Sequence, residues 1–245
     1  MITTRKIEQI VGILFIVQLV AAILSYSVIL EPILLSVNFL TELSDNATMV
    51  TVAMFFDIIC GASVFTIAVL LFPILKQHSE RIALWYVGER LTELISFMIS
   101  GLLLMTMMKI GQDITNAPSI ETSHLEALGR YLREARGNIQ EISLLIYCLG
   151  AWSFYGLLYF SKIVPGFISL WGLVGVTLLF IEIMANIFNT TAGGILIMMP
   201  LGLNEVFIGL WLIFKGFNPS SVDRGLWSTN YLSIHHIVLC ATDHG

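Results

Sequence analysis

The sequence predicts an all-α, polytopic integral membrane protein with about six transmembrane helices in one bundle, and two observations predict it. Of the 245 residues, 57% are apolar and only 12% are charged, whereas an ordinary soluble domain carries about 25% charged residues. The charged residues are also concentrated between long apolar runs. Since soluble proteins rarely expose apolar patches of the size that this composition requires, lipid is the solvent that fits the chain.

Six apolar runs are long enough to cross a bilayer, because a transmembrane helix needs about 20 apolar residues. In chain order, spans one to six are predicted over 7–29, 49–75, 82–108, 138–161, 166–188 and 196–217. The runs are apolar on every face, unlike the alternating segments of about ten residues that form transmembrane β-strands. We therefore predict one transmembrane domain over 1–221 and a poorly ordered tail over 222–245, which is too short and too polar for another span.

The first span follows Arg5 and Lys6, and its apolar run of more than twenty residues exceeds the roughly 7–15 apolar residues of a signal peptide. We interpret it as a retained helix. If the N-terminus is cytoplasmic, the inner segments hold seven Lys or Arg residues and the outer segments hold four, all within 109–137. Positive charge favours the cytoplasmic side, so we predict the cytoplasmic (inner) membrane with both termini in the cytoplasm.

The connection over 109–137 has a pattern of its own. Leu125, Leu128 and Leu132 recur at helical spacing among charged residues, which predicts a short amphipathic helix on the membrane surface at about 119–137. The break at 116–118 precedes it and Gly137 is expected near its end. We interpret the segment as a connector, and a lid over an outward-opening site is the alternative.

Charged residues inside the predicted spans mark the candidate site, because ionisable groups in hydrocarbon are costly and usually face the interior of the bundle. The candidate residues are Asp57, Glu89, Arg90, Glu93 and Glu205, together with Asn204, which is next to Glu205. Glu182 is less favoured because it lies nearer the outer surface. Counted along each helix at about 1.5 Å per residue, three of the acids fall roughly 12–14 Å from the outer side. Spans two, three and six are therefore predicted to meet around them.

The five buried acids are opposed by Arg90 alone. Uncompensated anions are not stable in hydrocarbon, so protons, a bound cation or water must reach them. This predicts a transporter-like or solute-binding protein with a protonatable carboxylate cluster, whose partners are the lipid bilayer and a proton, a cation or a small solute. The alternative is a structural or regulatory protein in which the cluster only ties helices together.

Other classes of function have less support. An intramembrane lipid-modifying enzyme is a further alternative, but the spans contain no histidine and none of the common catalytic motifs, so we expect a protein that is not an enzyme. The sequence contains no signature of a cofactor or a metal site. Its net charge of -5 provides no basic surface for nucleic acid. No protein partner can be named.

Four segments carry a resemblance to a known family. They are 71–76 (LFPILK), 89–93 (ERLTE), 161–165 (SKIVP) and 200–217, which begins PLGLNE and ends KGF. Together they resemble the bacterial multi-pass membrane family catalogued as domain of unknown function 4386, over about residues 5–220. The resemblance implies a bacterial membrane protein of about six helices. It implies no activity.

Overall fold

The computed structural model describes residues 4–116, 119–188, 190 and 192–222, and in this part of the chain all regular structure is helical. The elements are α1 (Thr4–Ala22), a π-helical continuation (Ile23–Leu30), α2 (Glu31–Leu34), α3 (Phe39–Asp45), α4 (Ala47–Lys76), α5 (Glu80–Asn116), α6 (Ser119–Ser161), α7 (Gly166–Ile187) and α8 (Ile195–Phe214). The predicted tail, apart from Val222, lies outside the described residues.

In the described part of the chain, six helices are long and apolar enough to cross a membrane. The first comprises α1 with its π-helical and α2 continuations (Thr4–Leu34), and the others belong to α4, α5, α6, α7 and α8. The predicted fold class and the six predicted spans are confirmed. The chain is an all-α, multi-pass membrane protein.

The six spanning helices pack as a closed ring. Each helix from α4 to α8 packs on the next one along the chain, and α1 closes the ring by packing on both α4 and α8. The backbones of α1 and α8 lie close together at Gly12 and Gly209, where a Cβ atom added at Gly12 would lie 2.5 Å from the carbonyl oxygen of Gly209. Small residues allow two backbones to approach this closely in a membrane.

Polar contacts join the ends of the helices at one end of the ring, which we call the terminal clamp. Arg5 donates hydrogen bonds to the backbone carbonyls of Leu212 (3.1 Å) and Ile213 (2.6 Å). The Glu8 carboxylate accepts a hydrogen bond from the backbone N–H of Phe217 at 3.2 Å. Beyond α4, His78 contacts the carbonyl oxygen of Ser221 at 3.0 Å. The first and last described residues therefore lie on the same side of the membrane, and this end gives a common level from which to measure height.

At the opposite end of the ring, the connections between the spanning helices contain helices of their own. The segment 30–48 contains α2 and α3, and α3 packs on the end of α5. Apolar residues of α2, α3, α4, α5 and α6 form a hydrophobic core at this end, and Leu34, Leu43, Leu104 and Leu125 are among them. We call this region the cap.

One helix boundary in the cap differs from the prediction. No helix ends near Gly137, because α6 continues without interruption from Ser119 to Ser161, so the amphipathic segment 119–137 and the fourth span form a single helix. A glycine within a helix costs only about 1 kcal/mol relative to alanine, and Leu125 and Leu132 of this segment pack on the cap core. Of the break predicted at 116–118, Asn116 is the last residue of α5, and 117 and 118 lie outside the described residues.

Candidate functional site

Three charged residues of α5 form a buried group, which we call the α5 triad. The guanidinium of Arg90 lies 2.8 Å from a carboxylate oxygen of Glu93 (Nη1 to Oε2) and 3.2 Å from one of Glu89 (Nε to Oε1). Glu93 is four residues after Glu89 and three after Arg90, and residues at these spacings share a helix face, so all three side chains point into the ring together. Arg90 and Glu89 are buried, whereas the side chain of Glu93 remains 19% exposed.

Aromatic rings hold the guanidinium of Arg90 in place. Its central carbon lies 4.8 Å from the ring centre of Tyr147 on α6 and 5.2 Å from that of Tyr86 on α5. Tyr86 is itself stacked on Phe154, with the ring centres 4.4 Å apart. A cation over an aromatic face gains about 0.5–2 kcal/mol when it is removed from water. The arginine is thus fixed between α5 and α6 by rings and paired with carboxylates of its own helix.

Glu205 of α8 completes the polar group from the other side of the ring. Its two carboxylate oxygens accept hydrogen bonds from the hydroxyl of Tyr147 at 3.0 Å and from the side-chain amide of Gln18 at 3.4 Å. Among the described residues no lysine, arginine or histidine forms an ion pair with Glu205. This carboxylate therefore joins α1, α6 and α8 through neutral donors and has no positive charge of its own.

A cavity of about 340 Å³, the central cavity, lies between these groups. Its polar lining comes from Gln18, Arg90, Glu93, Tyr147 and Glu205. The rest of the lining is mostly apolar and is contributed by Leu19, Ala22, Cys60, Val64, Phe97, Leu144, Leu179, Met198, Leu201 and Gly202. The volume falls within the range of roughly 300–1,000 Å³ that is typical of small-molecule sites.

The polar and apolar linings lie at different heights above the terminal clamp. Gln18 is 13 residues beyond Arg5 on α1, which is roughly 20 Å, and Ala22 is one turn higher. On α8, Glu205 is 10 residues before Lys215, roughly 15 Å, whereas Met198 is about two turns higher. The cavity therefore has a charged floor near mid-membrane and apolar walls that extend towards the cap.

Asp57 lies apart from the α5 triad. Its carboxylate accepts a hydrogen bond from the hydroxyl of Ser25, in the π-helical segment, at 2.5 Å, and the buried cation that acts on it is Arg136 of α6. Asp57 is 19 residues above the clamp end of α4 at Lys76, roughly 29 Å, and Ser25 is at a similar height on its helix. The structure thus places this acid about 10 Å or more above Glu205, in a second polar layer nearer the cap.

The other two candidate residues serve different contacts. The fully buried amide of Asn204 donates a hydrogen bond to the backbone carbonyl of Ile168 at 2.9 Å and so joins α8 to α7. Glu182 is 2% exposed, and one of its carboxylate oxygens has no hydrogen-bond partner among the described residues. Neither residue lines the central cavity. The structure therefore brings Glu89, Arg90, Glu93 and Glu205 together and separates the remaining three.

Two residues of the cavity floor were missed from the sequence. Gln18 and Tyr147 are uncharged, so a search for charges within the spans passes over them. A glutamine inside an apolar run is a detectable signal, because its amide also needs partners in hydrocarbon. A tyrosine at mid-span, away from the interfaces where tyrosine is enriched, is a weaker one.

Comparison with known proteins gives one family and no function. No curated protein and no solved structure is significantly similar to the chain. The family described as "Domain of unknown function (DUF4386)" matches residues 10–216, which include the spanning helices apart from the first six residues of α1, and every residue of the cavity floor. The chain therefore belongs to the DUF4386 family.

Proposed function

We propose that the protein is a transporter-like, solute-binding membrane protein whose ligand is a small amphipathic cation, exchanged for a proton at Glu205 and Glu93. The observation that carries the proposal is the central cavity, in which a carboxylate without a cationic partner lies on the floor beneath apolar walls. A ligand with one positive group and an apolar body matches both parts of this lining.

The charges explain why a proton would take part. The floor holds the carboxylates of Glu93 and Glu205 with Glu89 behind them, against the single guanidinium of Arg90. Because hydrocarbon does not tolerate surplus anions, a proton or a cationic ligand must neutralise them. When both compete for the same carboxylates, binding of one favours release of the other. Such competition couples ligand binding to proton release.

The structural alternative depends on the cluster holding helices together. Both ion pairs of Arg90 lie within α5, so they add no bond between helices. The bonds that do join helices, from Tyr147 and Gln18, end on Glu205 and use uncharged donors, for which a glutamine at position 205 would also serve as acceptor. A purely structural role therefore does not require a carboxylate at this position, and this supports the binding proposal.

The proposal is tested in proteoliposomes that contain a trapped pH-sensitive dye. Alkyltrimethylammonium ions of increasing chain length are added from outside; their permanent charge prevents them from crossing lipid as a neutral base. We expect a pH change that saturates with concentration and is absent from protein-free vesicles.

Glu205→Gln keeps the size of the side chain and removes its charge, so it should weaken the response about tenfold or more. Glu134→Gln, at an exposed site on α6, is the matched control and should behave as the wild type. No response of the wild type, or an unchanged response in Glu205→Gln, would contradict the proposal.

We also propose that the terminal clamp faces the cytoplasm of a bacterial cell and that the cap lies outside. The support is the excess of Lys and Arg at the clamp end of the sequence. In a cysteine-free background, Asp45→Cys at the exposed end of α3 in the cap should react with a membrane-impermeant maleimide on intact cells, whereas His78→Cys at the clamp should react only after lysis. The reverse labelling pattern would contradict this orientation.

A further inference from the structure

We propose that a pocket in the cap binds the phosphate of a membrane lipid. The pocket has a volume of about 400 Å³ and lies between the turn that joins α2 to α3 and the first half of α6. Its charged lining residues are Arg130, Arg133 and Glu126 of α6. The central cavity shares none of its lining with this pocket, so the inference is independent of the proposed function.

The two arginines have different environments in the pocket. Arg133 is positioned: it donates a hydrogen bond to the carbonyl oxygen of Leu34 at 3.0 Å, and its guanidinium lies 4.5 Å from the ring centre of Phe39. Arg130 is exposed and forms no hydrogen bond or ion pair with any residue that the structure describes. A guanidinium has five N–H donors arranged in a fork that matches phosphate oxygens. One arginine thus supplies a fixed donor group and the other a free one.

The charge of the pocket matches a single phosphodiester. Arg130 and Arg133 contribute two positive charges and Glu126 one negative charge. The net charge of +1 would be neutralised by a phosphodiester, which carries one negative charge. Charge-assisted hydrogen bonds from arginine to phosphate are among the stronger polar contacts in proteins.

The position of the pocket favours a lipid over a soluble anion. The helix Thr4–Leu34 is 31 residues long and rises about 45 Å from the terminal clamp, while a bilayer with its headgroups is about 40–45 Å thick. The turn after Leu34 therefore lies at the level of the headgroups. Two apolar side chains of this turn, Leu35 and Val37, are 76% and 96% exposed. In contact with lipid they would be buried, and the arginines beside them would lie among the phosphates.

The test measures thermal stability of the full chain in detergent with three additives. Dioleoylphosphatidylglycerol carries the phosphodiester, dioleoylglycerol has the same chains without it, and inorganic phosphate has no chains. We expect the melting temperature of the wild type to rise with the phospholipid alone. For Arg130→Gln the lipid concentration needed should increase about tenfold, because a charged hydrogen-bond donor is lost. Arg130 is exposed and forms no hydrogen bond or ion pair with a described residue, so this variant should fold normally.

The control is Lys109→Gln, which removes an exposed positive charge at the same end of the molecule but outside the pocket. It should respond to the phospholipid as the wild type does. Equal stabilisation by dioleoylglycerol would overturn the proposal, and so would equal stabilisation by inorganic phosphate, which would identify a soluble anion as the ligand. An unchanged response in Arg130→Gln, or the same loss in Lys109→Gln, would also overturn it.

Discussion

Replacement of Gly150 by alanine should disturb the α5 triad from the opposite helix. Gly150 of α6 faces the side chain of Glu89, and a Cβ atom added there would lie 2.7 Å from Cδ and 3.0 Å from Cβ of Glu89, and closer still to its Cγ. These distances are shorter than real carbon contacts, so Glu89 must move. Its movement would break the 3.2 Å contact with Arg90.

The expected effect can be separated from helix propensity by a matched variant. Gly156 lies on the same helix, and a Cβ atom added there meets no atom within 4 Å. Both substitutions gain the same helix propensity of about 1 kcal/mol, so their difference isolates the steric cost. Overpacking of an interior costs about 1–3 kcal/mol. For a chain of this size Gly150→Ala should therefore melt roughly 2–12 °C below Gly156→Ala in detergent.

A double-mutant cycle identifies the contact responsible. In a Glu89→Ala background Cγ and Cδ are absent and only Cβ, at 3.0 Å, remains, so the additional change Gly150→Ala should lower the melting temperature much less. Residues in direct contact show such coupling, whereas independent sites are additive. Equal melting temperatures for Gly150→Ala and Gly156→Ala would refute the close packing of Gly150 on Glu89. Full additivity in the cycle would show that the cost arises elsewhere.

Two further predictions concern the contacts that close the ring. Gly12→Ala should lower the melting temperature more than Gly150→Ala does, because the added Cβ would meet the backbone oxygen of Gly209 rather than a movable side chain; Gly88→Ala, with no atom within 4 Å, is the control. Arg5→Gln should lower the melting temperature by a few degrees through loss of charged hydrogen bonds to two carbonyls of α8. Lys6→Gln, at the exposed neighbouring position, should leave it unchanged, and an equal loss in both variants would show that Arg5 acts through its charge alone.

The spanning helices could be predicted because their cause is local. Each span must supply about 20 apolar residues to match the hydrocarbon, and this requirement is visible in any single run of the sequence. The cap could not be predicted in the same way. Its core forms when Leu43 of α3, Leu104 of α5 and Leu125 of α6 pack together, and no local pattern records contacts between residues so far apart in the chain.

The same distinction applies to the candidate site. The pairing of Arg90 with Glu93 follows from their spacing of three on one helix, which is visible in the sequence. The partners of Glu205 are Gln18 and Tyr147, which are 187 and 58 residues away in the chain, and no local spacing indicates them. Asp57 does not lie at the level of Glu205, as its predicted depth implies, because the depths of both residues were predicted from the cap ends of their helices. The cap end of α4 extends beyond that of α8, since α4 has 30 residues and α8 has 20 while their other ends meet at the clamp.

The arrangement of the α5 triad makes Glu205, rather than Glu93, the residue on which the proposed cation binding would depend most. Arg90 is held between two tyrosine rings and two carboxylates of its own helix, so it is already engaged whether or not the cavity is filled. Glu205 has only neutral donors, and the longer of its two hydrogen bonds, 3.4 Å, comes from Gln18 on α1. A cation that approaches Glu205 from the cavity would compete with this weak bond rather than with an ion pair. If a bound cation displaced Gln18, the lost hydrogen bond would be one between α1 and α8, so α1 is the helix whose position the proposed binding would affect first.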